Sequence, residues 1–330
     1  MSRSKPCLYV LDVGHGNSAV LCDTEGTVVI DSGTGNSLYL FLKQEQITTI
    51  DLLLISHADE DHLGGLIGIL ASEEFDVKKV RVNSDALKET KVWDDLLYTF
   101  DKMQRDGDLD FKVSLTENFD GSYNHGRIDI QIVAPSCYLA GKSPGSIDYK
   151  GRKITSNSIS AVIRLLLDDQ PVVLLPSDID MTGLANILEN SIDISAPLVS
   201  FPHHGGKPGS ADIIEYTKTF CEAVKPDSII FSIGRDKHKN PQPTLVSTIK
   251  KVLPDASILC TQLSKHCAVT IESKYEDHLT DSFAHGKEKG ICCAGTIVID
   301  MSNDSIQMQP DRESYANFIS EIVQNPICVE

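Results

Sequence analysis

Between Leu52 and Gly65 the chain carries His57, Asp59, Asp61 and His62, two imidazoles and two aspartates within six residues. So dense a set of polar groups suits neither a core nor an ordinary surface turn. It suits a divalent cation, which offsets the repulsion between carboxylates and takes neutral imidazole nitrogens as ligands. The competing reading is a polar loop after a strand, with Asp59 and Asp61 as turn formers.

Other places add groups of the same kind. Asp178 follows the apolar run Pro171–Leu175, where a carboxylate can bridge metal ions or cap the helix that begins after it. His203 and His204 follow Leu198–Phe201 and precede two glycines. Asp12 and Asp31 end strand-like runs just before glycines that allow a tight backbone, and Asp12 can orient a ligand from behind. Asn157 opens an apolar hairpin whose far strand finishes at Asp178. The loop Gly234–Pro241 holds Arg235, Lys237, His238 and Lys239, a reversal of sign in an acidic chain that favours an anionic substrate.

Each of these groups needs a strand behind it. The apolar runs Cys7–Leu11, Val28–Ile30, Leu52–Ile55, Pro171–Leu175, Leu198–Phe201 and Ser228–Ile233 supply them, with further strands expected at Ser257–Cys260, Ala268–Ile271 and Thr296–Asp300. Helical patterns fall at Ser37–Gln44, Leu63–Ser72, Asp85–Gln104, Thr182–Asn190, Ala211–Ala223, Thr244–Val252 and Ser314–Gln324. Hairpins alternating with strand–helix units predict a layered α/β fold. Ala140–Ser156, rich in Gly and Pro, reads as a surface insertion, and no stretch reads as an interdomain linker.

The 330 residues are 41% hydrophobic and 23% charged, ordinary for a globular protein with a sizeable core. No apolar run approaches the roughly 20 residues of a membrane span. Met1 to Pro6 runs straight into a strand without a signal-peptide core, so the expectation is a cytoplasmic chain away from membranes. In that compartment its nine scattered cysteines are expected to be reduced. A net charge of −17 repels polyanions, so nucleic-acid binding would need a local basic patch, a bound metal or a partner.

In motif order the sequence is similar to the metallo-β-lactamase superfamily, and more closely resembles the branch typified by the hydrolase domain of the DNA-uptake protein ComEC. The likeness runs from about Leu8 to Ile271 through Asp12-Val-Gly, Asp31-Ser-Gly, His57-x-Asp-x-Asp-His, Asn157-x-x-Ser, Asp178 and His203-His-Gly. It implies a four-layer αββα sandwich over residues 1–271, with 272–330 as a short C-terminal extension packed on the same domain. It also implies one or two divalent ions, zinc or manganese. His57 and Asp59 would face one ion, Asp61 and His62 the other; Asp178 would bridge them and His203 complete a shell. Asp12, Asp31 and Asn157 would support these ligands. The superfamily's usual motif has His at the places of Asp59 and Asn157, which shifts preference toward manganese. The branch has His where Asn240 stands, with His238 two residues earlier.

The implied activity is metal-dependent hydrolysis of a phosphodiester, by a nuclease or a nucleotide phosphodiesterase. Asp61 would orient the nucleophile, His204 or His238 would serve the leaving group, and Arg235, Lys237 and Lys239 would meet the substrate. By analogy, a member without a channel would work in a protein complex, for instance in bacterial anti-phage defence. The alternatives are an ester, lactone or thioester hydrolase, and a catalytically idle interaction module. In the tail, His266, Cys267, His278, His285, Cys292 and Cys293 read either as a structural zinc site or as buried cysteines acting as small apolar groups.

Overall fold

Two sheets face each other across one apolar core in the computed structural model, which describes all residues except 1–5, 118–122, 236, 268–271, 273–275, 303–305 and 330. In chain order the first strands are β1 (Cys7–Val10), β2 (Ala19–Asp23), β3 (Gly26–Ile30), β4 (Thr49–Ile50), β5 (Leu52–Ile55), β6 (Asp76–Val77), β7 (Lys79–Val82) and β8 (Asp110–Lys112). They are followed by β9 (Tyr123–His125), β10 (Ile128–Ala134), β11 (Val162–Leu167), β12 (Gln170–Leu175), β13 (Leu198–Ser200), β14 (Ser228–Phe231), β15 (Ser257–Cys260), β16 (Ile297–Asp300) and β17 (Gln307–Gln309). One sheet has the order β17-β16-β1-β2-β3-β5-β7-β8, the other β15-β14-β13-β12-β11-β10-β9, and β4 pairs with β6. The helices are α1 (Ser37–Gln44), α2 (Glu60–Leu63), α3 (Leu66–Leu70), α4 (Lys91–Asp106), α5 (Cys137–Lys142), α6 (Met181–Glu189), α7 (Ile213–Val224), α8 (Pro243–Val252) and α9 (Arg312–Glu321).

Alternation along the strands builds the layers. Leu8, Val10, Leu21, Val28, Ile30, Leu52 and Leu54 point into the core between the sheets. Their neighbours Val20, Val29, Leu53 and Ile55 point the other way, onto Leu38 and Phe41 of α1 and Trp93, Leu96 and Phe100 of α4. Leu184, Phe220 and Ile249, from α6, α7 and α8, join the core that includes the second sheet. The result is the expected αββα sandwich.

Both sheets change from antiparallel to parallel pairing part-way across. β3, β5, β7 and β8 run parallel in one; β12, β13, β14 and β15 run parallel in the other. Parallel strands empty their loops on one edge, so the residues after β3, β5, β12, β13 and β14 collect together, the usual place for a site in an open α/β sheet.

Some boundaries differ from expectation. The helix expected over Leu63–Ser72 starts earlier and divides into α2 and α3 at Gly64 and Gly65. A Cβ at Gly65 would lie 2.8 Å from the Ser32 carbonyl oxygen, so the chain must pass here without a side chain. The helix expected from Asp85 begins at Lys91, because Thr90 accepts the Trp93 N–H and fixes the start. Within Ala140–Ser156, an isolated bridge joins Ile147 to Lys153, and Ile154 is buried with Leu139 and Ile159. The strand expected at Ala268–Ile271 lies outside the described residues. Beyond residue 272, β16 pairs antiparallel with β1 from Cys7↔Asp300 to Val10↔Ile297. Tyr315, Phe318 and Ile319 of α9 are part of the same core as both sheets. No helix among the described residues is long and apolar enough to cross a membrane.

Candidate metal centre

Asp31 ends β3 with a left-handed backbone, φ 57°. That turn points its buried carboxylate at the end of neighbouring β5, where it accepts the Ser56 N–H and O–H at 2.7 Å each and His62 Nδ1–H at 2.8 Å. His62 Nε2 is thereby presented to the centre with its lone pair free. His57 turns Nδ1 toward the hydroxyls of Ser56, at 3.0 Å, and Ser177, at 3.3 Å. His204 Nδ1 donates to the Ser232 carbonyl at 2.8 Å, which fixes the same tautomer. All three imidazoles therefore aim Nε2 inward.

These groups form two clusters. His57, His62 and Asp178 offer ligand atoms all within 4.8 Å of one another, and so do His15, Asp61 and His204. Asp178 touches both: its Oδ1 lies 3.5 Å from His62 Nε2 and 3.7 Å from His204 Nε2, and its Oδ2 3.5 Å from His203 Nδ1. Asp61 Oδ2 lies 3.1 Å from His15 Nε2 and 3.4 Å from His204 Nε2.

Among the described residues, five buried atoms here find no hydrogen-bond partner: His57 Nε2, His62 Nε2, His203 Nε2, His204 Nε2 and Asp178 Oδ1. A buried unpaired polar atom costs about 1–3 kcal/mol, so five in one place call for an acceptor of lone pairs. A divalent cation would be such an acceptor, and nitrogen with carboxylate oxygen is a donor set that suits zinc or manganese.

The electrostatics agree. Burial works to raise the Asp61 carboxyl, but the imidazoles of His15 and His204 beside it and the His62 charge hold it well below the usual range. Burial likewise opposes ionisation of Asp178, and His204, His62 and His203 overcome it. His62 and His204, pushed down by burial, are raised on balance, His62 by Asp178 and Asp31, His204 mainly by Asp178 and Asp61.

Four of the eleven non-glycine residues with positive φ among the described residues lie here. Ser177, His203 and His204 share the left-handed conformation of Asp31, with φ of 51°, 53° and 54°. Non-glycine residues pay roughly 1–2 kcal/mol each for it, and such outliers cluster at working sites.

His15 is the residue that sequence reasoning missed as a ligand. Its loop docks on α2 through the Asn17 N–H to the Asp61 carbonyl at 3.2 Å, and a Cβ on Gly16 (φ 124°) would come within 2.1 Å of that oxygen. The signal was a histidine between two glycines after a strand-end acid. Asp12 holds this loop from behind. Its buried carboxylate accepts the N–H of Gly14 at 3.0 Å and of Gly286 at 2.8 Å, Gln262 Nε2 at 2.8 Å and the Cys292 thiol at 3.5 Å. Its own N–H donates to Thr296 Oγ1 at 3.0 Å. Asp12 therefore orients His15 through the backbone.

The remaining expectations sort as follows. His62 groups with His57 and Asp178, so the division of ligands differs from the implied one, which paired it with Asp61. Asp59 reaches the centre from the side, 3.7 Å from His57 Nε2, while Lys88 ion-pairs with its other oxygen. Asn157 lines a cleft of about 620 Å³ beside Asp59 and Lys88; among the described residues its carboxamide makes no hydrogen bond to the imidazoles. His238 is exposed, its ring 4.6 Å from that of His15. Lys237 and Lys239 are exposed beside it. Arg235 is not at the substrate face: it is buried, and its guanidinium donates to the carbonyls of Leu263 at 3.1 Å and Ser264 at 2.7 Å.

Among the described residues the tail cysteines and histidines form no group of three ligand atoms. Cys292 meets Asp12, Cys293 Sγ lies 3.2 Å from the Tyr315 hydroxyl, His278 Nε2 donates to the Cys293 carbonyl at 2.7 Å, and His285 Nδ1 lies 3.2 Å from Ser37 Oγ. They pack as small buried groups, since adjacent Cys292 and Cys293 face different partners.

The model of the metallo-beta-lactamase superfamily matches residues 11–154, which include His15 and the His57–His62 run. Among solved structures, Igni18, a novel metallo hydrolase from the hyperthermophilic archaeon Ignicoccus hospitalis, is 15% identical, with 76% of this chain and 94% of that one covered and a TM-score of 0.41. The metallo-beta-lactamase fold protein YhfI from Bacillus subtilis is 11% identical, covering 77% and 96%, with a TM-score of 0.47. The short form of human tRNase Z is 10% identical, covering 68% and 91%, with a TM-score of 0.37.

Proposed function

We propose that this chain, a metal-dependent hydrolase of the metallo-β-lactamase fold, acts on phosphodiesters as a nuclease or nucleotide phosphodiesterase. The observation that carries the hydrolase reading is the set of five unpartnered buried atoms around Asp178. His57, His62 and Asp178 would hold one ion, His15, Asp61 and His204 a second. A cation held there supplies Lewis acidity and activates water near neutral pH.

The protein's own groups do the rest. Asp61, kept ionised by its imidazole neighbours, is placed to orient the attacking water with its carboxylate while it helps to hold the ion. His238, packed against His15 at the exposed rim, is placed to protonate a leaving oxygen. Lys237 and Lys239 flank it and favour an anionic substrate over a neutral ester. The motif order shared with the DNA-uptake branch supports a nucleic-acid substrate, while the net charge of −17 disfavours a free-standing duplex nuclease.

The test joins elemental analysis of the purified protein to turnover of bis(p-nitrophenyl) phosphate and p-nitrophenyl acetate, with Asp178→Ala as control. Phosphodiester turnover that depends on metal and on Asp178 is the expected result. Acetate hydrolysis without phosphodiester turnover would move the protein to the esterase reading.

A further inference from the structure

The cleft of about 620 Å³ that opens beside Asp59 is lined by Lys88, Arg152, Lys153, Asn157, Asp180 and Met181, and by the 208–211 loop opposite. We propose that it binds the nucleotide on one side of the scissile phosphodiester, with Lys88 and Lys153 as its phosphate-binding cations. This rests on the phosphodiester reading above.

Three observations point to that ligand. The first is place. Lys88 ion-pairs with Asp59, whose other oxygen lies 3.7 Å from His57 Nε2. A phosphate bound at this ammonium is one carboxylate away from the candidate centre, the separation of neighbouring groups along one strand. The second is charge. Of the charged groups on the walls, Asp180 turns its carboxylate to the Gly183 N–H at 3.0 Å and the hydroxyls of Thr155 and Ser158 at 2.8 and 2.7 Å. Arg152 is held by Asp148 and Glu189. Asp59 is engaged by Lys88, whose ammonium keeps two further N–H donors, and Lys153 is exposed, so these two lysines have donors to offer a ligand in a chain of net charge −17. An ammonium is a compact point charge well suited to phosphate.

The third is size and surface. The volume falls in the roughly 300–1,000 Å³ range of small-ligand sites, right for one nucleotide of a single strand or a dinucleotide. Met181 and Ala185, both half-buried, supply apolar wall for a base.

The experiment measures binding of a fluorescein-labelled, phosphorothioate-linked thymidine dinucleotide to the metal-loaded protein by anisotropy, across a salt titration. Lys88→Gln with Lys153→Gln should weaken binding about tenfold and flatten the salt slope by about one per lysine. Lys153→Gln alone, at an exposed site remote from the core, should show part of both effects with wild-type metal content. Binding unchanged within about twofold in both variants, with an unchanged salt slope, overturns the proposal. If wild type turns over bis(p-nitrophenyl) phosphate yet does not bind the dinucleotide, the cleft assignment falls and the phosphodiester reading stands. If it binds through these lysines but hydrolyses no phosphodiester, the cleft stands and the reaction does not.

Discussion

Asp31→Asn removes one charge from a buried side chain and keeps its shape, which makes the cost traceable. The carboxylate accepts three hydrogen bonds, at 2.7, 2.7 and 2.8 Å. A carboxamide oxygen can accept two of them, and its NH2 group must then face the third donor. Leaving one buried donor unmatched costs about 1–3 kcal/mol, and the two surviving bonds lose charge assistance worth about 1 kcal/mol together. We therefore expect a loss of about 3 kcal/mol, or roughly 6–12 °C in melting temperature for a chain of this size. Backbone strain does not confound the change, because asparagine tolerates the φ of 57° as aspartate does. The same bond fixes which His62 nitrogen carries the proton, so metal affinity should fall roughly 10–100-fold. Circular-dichroism melts of the metal-free protein and competition against a chromophoric chelator read the two effects separately. Melting within about 2 °C of wild type together with unchanged metal affinity would refute this account of how the centre is held.

Arg235→Ala should destabilise the fold by about 2 kcal/mol, since two carbonyls lose their donor, and leave KM for a phosphodiester unchanged; a raised KM with unchanged melting would return Arg235 to the substrate. In metal-free protein, His62 and His204 have folded pKa values above the ordinary 6.5, so the stability they contribute is complete below that pH and is lost as pH rises through the folded values. The urea midpoint should accordingly be higher at about pH 6 than at about pH 9, and equal midpoints would contradict the imidazole–carboxylate pairing. Cys137, the one thiol of nine that is exposed, should react first with a thiol reagent, whereas Cys221, which burial pushes up to about 12, should react only after unfolding; mass spectrometry of partly labelled protein decides. Manganese should restore activity to chelated protein at least as well as zinc, because Asp59 brings an oxygen donor to the centre; recovery with zinc alone would contradict this.

What the sequence made legible were the junctions where a strand ends in a polar group. Asp31, His57, Asp178 and His203 each follow a short apolar run, and pairing in parallel brings such ends together whatever the loops do. Helix α1 falls where its apolar spacing puts it. Less legible was anything decided by a distant partner. A cation in a turn looks the same whether it faces solvent, as Lys237 does, or carbonyls thirty residues away, as Arg235 does. Lys88 meets Asp59 only through the fold, and His15 lies between glycines, outside any hydrophobic period. The split of α2 from α3 was carried by Gly64 and Gly65, but its reason, the close approach of Ser32, belongs to tertiary structure.

The way Asp12 is held has a consequence in time. The acid belongs to the start of the chain, and its partner Thr296 comes 284 residues later, with Gly286 at 274 and Cys292 at 280. A ribosome adding about 5–20 residues per second needs roughly 15–60 s to cover that interval. For most of it the nascent chain carries the His57–His62 run, but the loop that must present His15 has no anchor and β1 lacks its outer neighbour β16. The candidate centre is thus unfinished until the segment carrying Gly286, Cys292 and Thr296 has been made.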